Sequence, residues 1–391
     1  MDKVLLPGDI ESTLLKRFKM PNLSKQINVL QVINSLHAGG AEVLLKNFTL
    51  QVKEHFKKYN GLNIEVAILY PEDTFKEDIE KASVHVWKLG LNFKYDLRGI
   101  IKLISLIKRG KYNIVHVHLF PANLFVSLAS LFLPKNIKFI FSEHNIYNRR
   151  RSFKIFKILD TFIYSRYYKI ICVSKQVQGA LIEWLPNLQR KSVVISNAVP
   201  VPDLSNWSPV KKYDVLFVGR LTKAKGVDIL LKAIKILKEK YQKEIKAAIV
   251  GEGYLEEKLK ELVKELGIGG EVEFLGVRRD IERLMTSTQV FVLPSRWEGL
   301  PLTVLEAMSC GAGIIAAKVG GIPEVIENGK EGILISPDDP EALARAITEL
   351  LKDGELRAKL GINAYKKVKE KYSIEVYTKN ILGFYKSLIT D

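Results

Sequence analysis

The sequence predicts an α/β protein built as two doubly wound, parallel-sheet domains facing a central crevice. Three observations predict it. Short runs rich in Val, Ile, Leu and Phe alternate with longer amphipathic stretches, which is the pattern of parallel βαβ units. The alternation stops once, over residues 196–212, where three prolines and two asparagines break the periodicity, and then restarts. The same opening also recurs on either side of that break: an apolar run, a glycine-bearing loop and a helical pattern, at 27–56 and again from 213 to about 239. A chain of 391 residues is long enough for both domains to bury a core.

Residues 1–26 are polar and irregular and read as an extension outside the core. The first domain spans 27–204. Its strand-like run 27–34 leads into His37-Ala38-Gly39-Gly40-Ala41-Glu42 and a helix ending near 56. Strands at 64–69, 84–87, 114–117, 137–141, 170–173 and 193–195 then alternate with helices at about 97–109, 121–132, 152–167 and 175–184. The second domain spans 205–371, opening with a strand at 213–218, and a final amphipathic helix within 372–391 is expected to pack back on the first domain.

Two cysteines, Cys172 and Cys310, sit in apolar or small-residue segments and suit a reducing compartment. The start of the chain does not read as a signal peptide. The longest uncharged run, 119–134, is shorter than the ~18–20 residues that span a bilayer. Net charge is +17 and unevenly placed: residues 1–204 carry 30 Lys and Arg against 16 Asp and Glu, residues 205–391 carry 30 against 27. A basic first half suits an anionic partner, whether nucleic acid, acidic lipid or a phosphorylated acceptor, and equally a solvated basic surface.

In open parallel sheets ligands lie beyond the carboxyl ends of strands. After strand 213–218 come Arg220 and Lys225, a guanidinium and an ammonium beside a helix start, suited to a diphosphate. Gly251-Glu252-Gly253 after the next strand lacks the full dinucleotide fingerprint and reads as a tight turn. A buried strand ends at Pro294 and a helix is expected from Pro301. Between and beyond lie Glu298 and Glu306, carboxylates able to grip vicinal hydroxyls, while Leu302 and Thr303 offer backbone N–H groups to phosphate. Leu305, Ala307 and Met308 make this helix apolar nearly all round, so an unpartnered Glu306 would be costly there unless it served a ligand.

GRLTKAKG with Arg220 and Lys225, EGLPLTVLEAMSCG with its glutamates eight apart, and Gly320-Gly321-Ile322-Pro323-Glu324 together resemble family 4 of the retaining glycosyltransferases. The likeness runs over about 27–390. It implies the GT-B fold of two Rossmann-like domains and a metal-independent hexosyl transfer from a nucleotide diphosphate sugar, a UDP- or GDP-sugar above all. It also implies roles. Arg220 and Lys225 would neutralise the diphosphate, Glu306 would hold the ribose, and Glu298 would contact the donor sugar with backbone at Gly299 and Leu300. Gly39 and Gly40 would approach the phosphates, and His118 would reach the donor sugar and the reacting centre. His116 is assigned to the opposite face of its strand and a structural part.

No Asp-x-Asp occurs and the histidines show no metal spacing, so neither a metal nor another cofactor is expected. For the acceptor, His144 follows a strand end, and Arg149, Arg150 and Arg151 open a stretch of cations interleaved with aromatics. With the basic stretch at 93–111 they suit an anionic membrane surface or a lipid-linked pyrophosphate, which implies peripheral attachment at the cytoplasmic membrane face and glycolipid or surface-polysaccharide synthesis. Competing readings are a nucleotide-sugar epimerase of the same build, an NAD-dependent oxidoreductase lacking its glycine fingerprint, and a nucleic-acid binder lacking a recognised motif.

Overall fold

A computed structural model describes residues 26–390 apart from 38, 56–60, 148 and 205–210. The extension expected over 1–26 therefore lies almost wholly outside the described residues, as does part of the segment joining the domains. Among the described residues the strands form two sheets. The first holds β1 (Ile27–Ile33), β2 (Leu62–Ile68), β3 (Val86–Lys88), β4 (Ile114–His118), β5 (Lys138–Glu143), β6 (Lys169–Cys172) and β7 (Ser192–Val194), in the order β3-β2-β1-β4-β5-β6-β7. The second holds β8 (Tyr213–Val218), β9 (Ala247–Val250), β10 (Val272–Gly276), β11 (Thr288–Leu293), β12 (Gly313–Ala317) and β13 (Ile333–Ile335), in the order β10-β9-β8-β11-β12-β13.

The strand pairings are parallel in both sheets. Parallel sheets carry helices on both faces, so their strands read as near-continuous apolar runs. Val29, Leu30, Val32 and Ile33 of β1, and Val215, Leu216 and Phe217 of β8, are accordingly buried outright. Strand order reverses between β1 and β4 and again between β8 and β11. Those two reversals open the crevice in which ligands of such sheets bind.

Six helices matter for that crevice: α1 (Gly40–His55), α2 (Phe156–Ser165), α3 (Lys175–Trp184), α4 (Val227–Tyr241), α5 (Leu302–Ser309) and α6 (Ile374–Thr390). α6 returns to the first domain and packs on α1 and β1. Its buried face is Tyr377, Ile381, Tyr385 and Leu388, spaced as one stripe of a helix. Where the chain comes back, Val199 N donates to Tyr372 O at 3.0 Å and Ile374 N to Val199 O at 2.9 Å, so the two crossings lie side by side.

The helix expected over 152–167 is shorter than its sequence pattern. α2 starts at Phe156, after a 3₁₀ turn at Arg149–Ser152. Phe153 and Phe156 donate to carbonyls three residues back, Arg150 and Phe153, which is 3₁₀ spacing. Inward-turned side chains at Arg150 and Arg151 hold this turn, as described below.

Candidate active site

The second domain supplies one wall. β8 ends in a loop whose 3₁₀ turn, Lys223–Lys225, is closed by Gly226 at φ +66°. A Cβ on Gly226 would overlap the carbonyl oxygen of Pro294, so this turn rests directly on the end of β11. Arg296 fastens the two loops together. Its backbone N–H donates to Ala224 O at 2.7 Å, and its guanidinium grips both Asp228 oxygens at 2.8 and 2.7 Å, Lys223 O at 3.0 Å and Asp338 at 2.7 Å. The result is a fixed pair: Lys225 Nζ lies 2.6 Å from Glu298 Oε1, which also accepts from Ser295 Oγ at 2.6 Å. Glu298 is buried and Arg220 exposed. Arg296 was not among the sequence candidates, because a lone arginine in a loop carries no signal until its partners across the turn are known.

α5 begins at Leu302, one residue after the expected Pro301, which instead caps it in an extended conformation. Leu300 and Leu302 are buried. Thr303 Oγ1 is buried and without a hydrogen-bond partner among the described residues, beside the free N–H groups of the helix start. The glycine loop of the first domain faces this end: a Cβ on Gly40 would stand 3.9 Å from Leu302 Cδ1, and one on Gly39 would run into the Glu42 carboxylate. Across the same gap His37 Nε2 lies 3.3 Å from Glu252 Oε1. Glu306 is recessed yet partly exposed, and no partner of its carboxylate stands among the described residues. Burial, then the nearby Glu282, pushes its carboxyl up to about 7, against the pull of Lys46 on α1.

The first domain supplies the floor. His118, at the end of β4, is 3% exposed, with Nε2 2.9 Å from Gln31 Oε1 and Nδ1 3.4 Å from His144 Nε2. His116 corrects one expectation. It shares a face with His118, as residues two apart in a strand must, and the ring centroids are 4.4 Å apart. It bonds to Tyr385 OH at 2.6 Å and Ser142 Oγ at 2.8 Å. His144 is partly exposed, and its carbonyl oxygen lies where a Cβ on Gly299 would sit, so the two domains touch there. Burial lowers all three imidazoles: His116 to about 3, with His144 adding to the effect, His144 to about 4, and His118 well below its ordinary value. All three are neutral near pH 7.

Arg150 and Arg151 are used inside the first domain. Arg151 donates to Glu143 at 2.8 Å and to Tyr164 OH at 3.2 Å, and Tyr164 OH donates to Glu143 at 2.5 Å. Arg150 lies 3.3 Å from Asp160 and 3.7 Å above the Phe120 ring. The side chain of Arg149 is outside the described residues. What this region exposes is Phe153, Ile155 and Ile158 with Lys154 and Lys157.

Two family models match successive parts of the chain. The one described as Glycosyltransferase Family 4 covers residues 38–201, and Glycosyl transferases group 1 covers 205–367. The chain belongs to the family 4 glycosyltransferases. An uncharacterised glycosyltransferase of Methanocaldococcus jannaschii is 29% identical to this transferase over 375 residues, covering 90% of this chain and 95% of the relative. A second from that organism is 30% identical over 304 residues, 68% and 74% of the two chains. The Escherichia coli UDP-Gal:alpha-D-GlcNAc-diphosphoundecaprenol alpha-1,3-galactosyltransferase is 27% identical, covering 81% and 86%. Among solved structures, Anabaena HepE in complex with UDP and glucose superposes with a TM-score of 0.79 at 22% identity, covering 93% and 100%, which shows the shared GT-B fold. The family match gives the epimerase reading no support.

Proposed function

We propose that the transferase moves a hexose from a UDP- or GDP-sugar to a lipid-linked acceptor, with retention of configuration and without a metal. The observation that carries this is the Lys225–Glu298 pair, 2.6 Å long, set beside the N-terminus of α5 and opposite the Gly39-Gly40 loop. Arg220, Lys225 and the α5 N–H groups stabilise the diphosphate as charge develops on the leaving group. Thr303 finds there the partner its hydroxyl lacks. Glu306 accepts from the ribose hydroxyls, and Glu298, with the Gly299 and Leu300 backbone, orients the donor sugar. As phosphate draws Lys225 away, Glu298 is released to the sugar.

Among the described residues no cluster of His, Cys, Asp or Glu is arranged to hold a metal. The cationic loop can do the electrostatic work itself. Retention is assigned to front-face attack, the leaving phosphate helping to take the acceptor's proton. The acceptor class rests on the basic first half, on the exposed Phe153, Ile155 and Ile158 beside lysines, and on the lipid-diphosphate acceptor named for the Escherichia coli relative. Among the described residues no helix is long and apolar enough to cross a membrane. Attachment at the cytoplasmic membrane face is then peripheral.

A thermal-shift panel of UDP, GDP, ADP and NAD on wild type and Glu306→Ala tests the donor site. One nucleoside diphosphate should stabilise the wild type and lose its effect in the variant. Stabilisation by NAD alone would overturn the reading, and an inverted anomeric product would overturn retention.

A further inference from the structure

Six buried or recessed polar side chains run in one line through the first domain. His144 Nε2 lies 3.4 Å from His118 Nδ1, and His118 Nε2 lies 2.9 Å from Gln31 Oε1. Gln31 Nε2 donates to Tyr385 OH at 2.8 Å. Tyr385 OH lies 2.6 Å from His116 Nδ1, and His116 Nε2 lies 2.8 Å from Ser142 Oγ. With the Gln31 carbonyl turned to His118 and its amide to Tyr385, one direction uses every donor in the line. Gln31 must accept at its carbonyl and donate from its amide, so His118 carries its proton on Nε2 and offers a lone pair on Nδ1. His144 must then donate from Nε2. Tyr385, having accepted from Gln31, gives its own proton to His116 Nδ1, and His116 gives its Nε2 proton to Ser142. No member is charged, since burial keeps the three imidazoles neutral.

We propose that Tyr385 of the C-terminal helix fixes, through Gln31 and His118, the tautomer in which His144 presents an unprotonated Nδ1 as a hydrogen-bond acceptor for a neutral substrate hydroxyl. The ring nitrogen of a neutral imidazole is set by the bond its other nitrogen makes. Here that bond is anchored 241 residues further along the chain, on α6, which crosses over from the second domain. Nδ1 of His144 has no partner among the described residues, its ring is partly exposed, and its backbone meets Gly299 across the crevice. A lone pair there selects an O–H and repels a phosphate oxygen. His144 therefore contacts sugar, not diphosphate, while Gln31, His118 and Tyr385 are positioning residues. This rests on the transferase reading for the nature of the ligand, but the tautomer itself does not.

The test needs no substrate. The chain has six histidines, so ¹⁵N-histidine labelling of the free protein resolves the ring nitrogens, with His144→Gln assigning the signal. His144 and His118 should each be neutral, protonated at Nε2 alone. An Nδ1-protonated or charged His144 in the wild type overturns the proposal whatever the variants do. Tyr385→Phe removes the hydroxyl that anchors Gln31 and should shift the tautomer ratio of His118 and His144 by about tenfold, the worth of one neutral hydrogen bond. Gln31→Leu cuts the next link and should do the same. Tyr377→Phe, on the same helix but outside the line, should leave the ratio alone. Unchanged ratios in both Tyr385→Phe and Gln31→Leu overturn the proposal. UDP-induced stabilisation, read on the same samples, reports the donor site separately, so a failure of the donor assignment does not masquerade as a failure of the chain.

Discussion

Glu306 is a carboxylate held where water reaches it poorly and Glu282 repels it, and its carboxyl consequently titrates at about 7, not at its ordinary 4.5. The linkage follows from that direction. Between those two values the folded chain keeps a proton that the unfolded chain has lost, so stability falls as pH rises through the interval and is flat above it. Glu306→Gln removes the cost of a recessed charge. It should gain on the order of 2 kcal/mol over wild type at pH 8 and nothing at pH 4, read by denaturant unfolding at the two values. Under the proposed donor site, where Glu306 accepts from ribose by a charge-assisted bond, the same variant should weaken nucleoside diphosphate binding about tenfold to a hundredfold at pH 8. Wild-type affinity should itself fall below pH 7, and the Gln variant should show no such fall. A variant that loses both stability and binding would mean that Glu306 is a structural residue. The sequence could show that a glutamate lay in an apolar helix. It could not show Lys46, which faces Glu306 from the other domain and so has no local signature.

Elements were legible wherever burial alone decides composition. β1 and β8 are apolar because both faces are covered, and nothing in the loops is needed to read them. Reading failed where a tertiary contact overrode the local pattern. The helix expected from 152 begins at Phe156, because Arg150 and Arg151 turn inward to Asp160 and Glu143 and draw the preceding turn into 3₁₀ geometry. His116 was placed on the wrong face of β4, an error of strand parity that the geometry of any strand corrects. The Gln31–Tyr385 bond joins residues 354 apart and has no counterpart in sequence pattern. The site loops, by contrast, announce themselves, since a glycine at φ +66° on the Pro294 carbonyl is a demand no other residue meets. Gly226→Ala should therefore cost about 1–2 kcal/mol in backbone strain alone, and more from the overlap. Because the turn that carries Lys225 must shift, UDP-induced stabilisation should vanish even at temperatures where the variant is fully folded. Undiminished stabilisation would separate Lys225 from the phosphate site.

At the scale of the whole molecule, polar contacts around the crevice join the two domains in addition to the α6 crossover. Glu324 reaches from the second domain to the start of α3, its two oxygens each 3.0 Å from the backbone N–H groups of Lys175 and Gln176. This is an N-terminal cap supplied in trans by another domain, where a carboxylate meets both free donors and the positive end of the helix dipole. Asn197 Nδ2 donates to Leu300 O at 2.7 Å nearby, and Gly299 lies against the His144 carbonyl. Closure thus sets the distance between Glu298 on one wall and His144 on the other. Removing a cap costs about 0.5–2 kcal/mol, little against the stability of either domain but enough to change the closed-to-open ratio about twofold to thirtyfold. Glu324→Ala should consequently leave the melting temperature almost unmoved while enlarging the radius of gyration in small-angle scattering. Donor binding, assigned under the proposed function mainly to the second domain's loops, should persist. Turnover should fall by at most that factor, since the walls meet less often. An unchanged radius with unchanged turnover would place the closing force in the close approach of Gly299 to the His144 carbonyl and not at Glu324. A fall in melting temperature of many degrees would make Glu324 part of the fold.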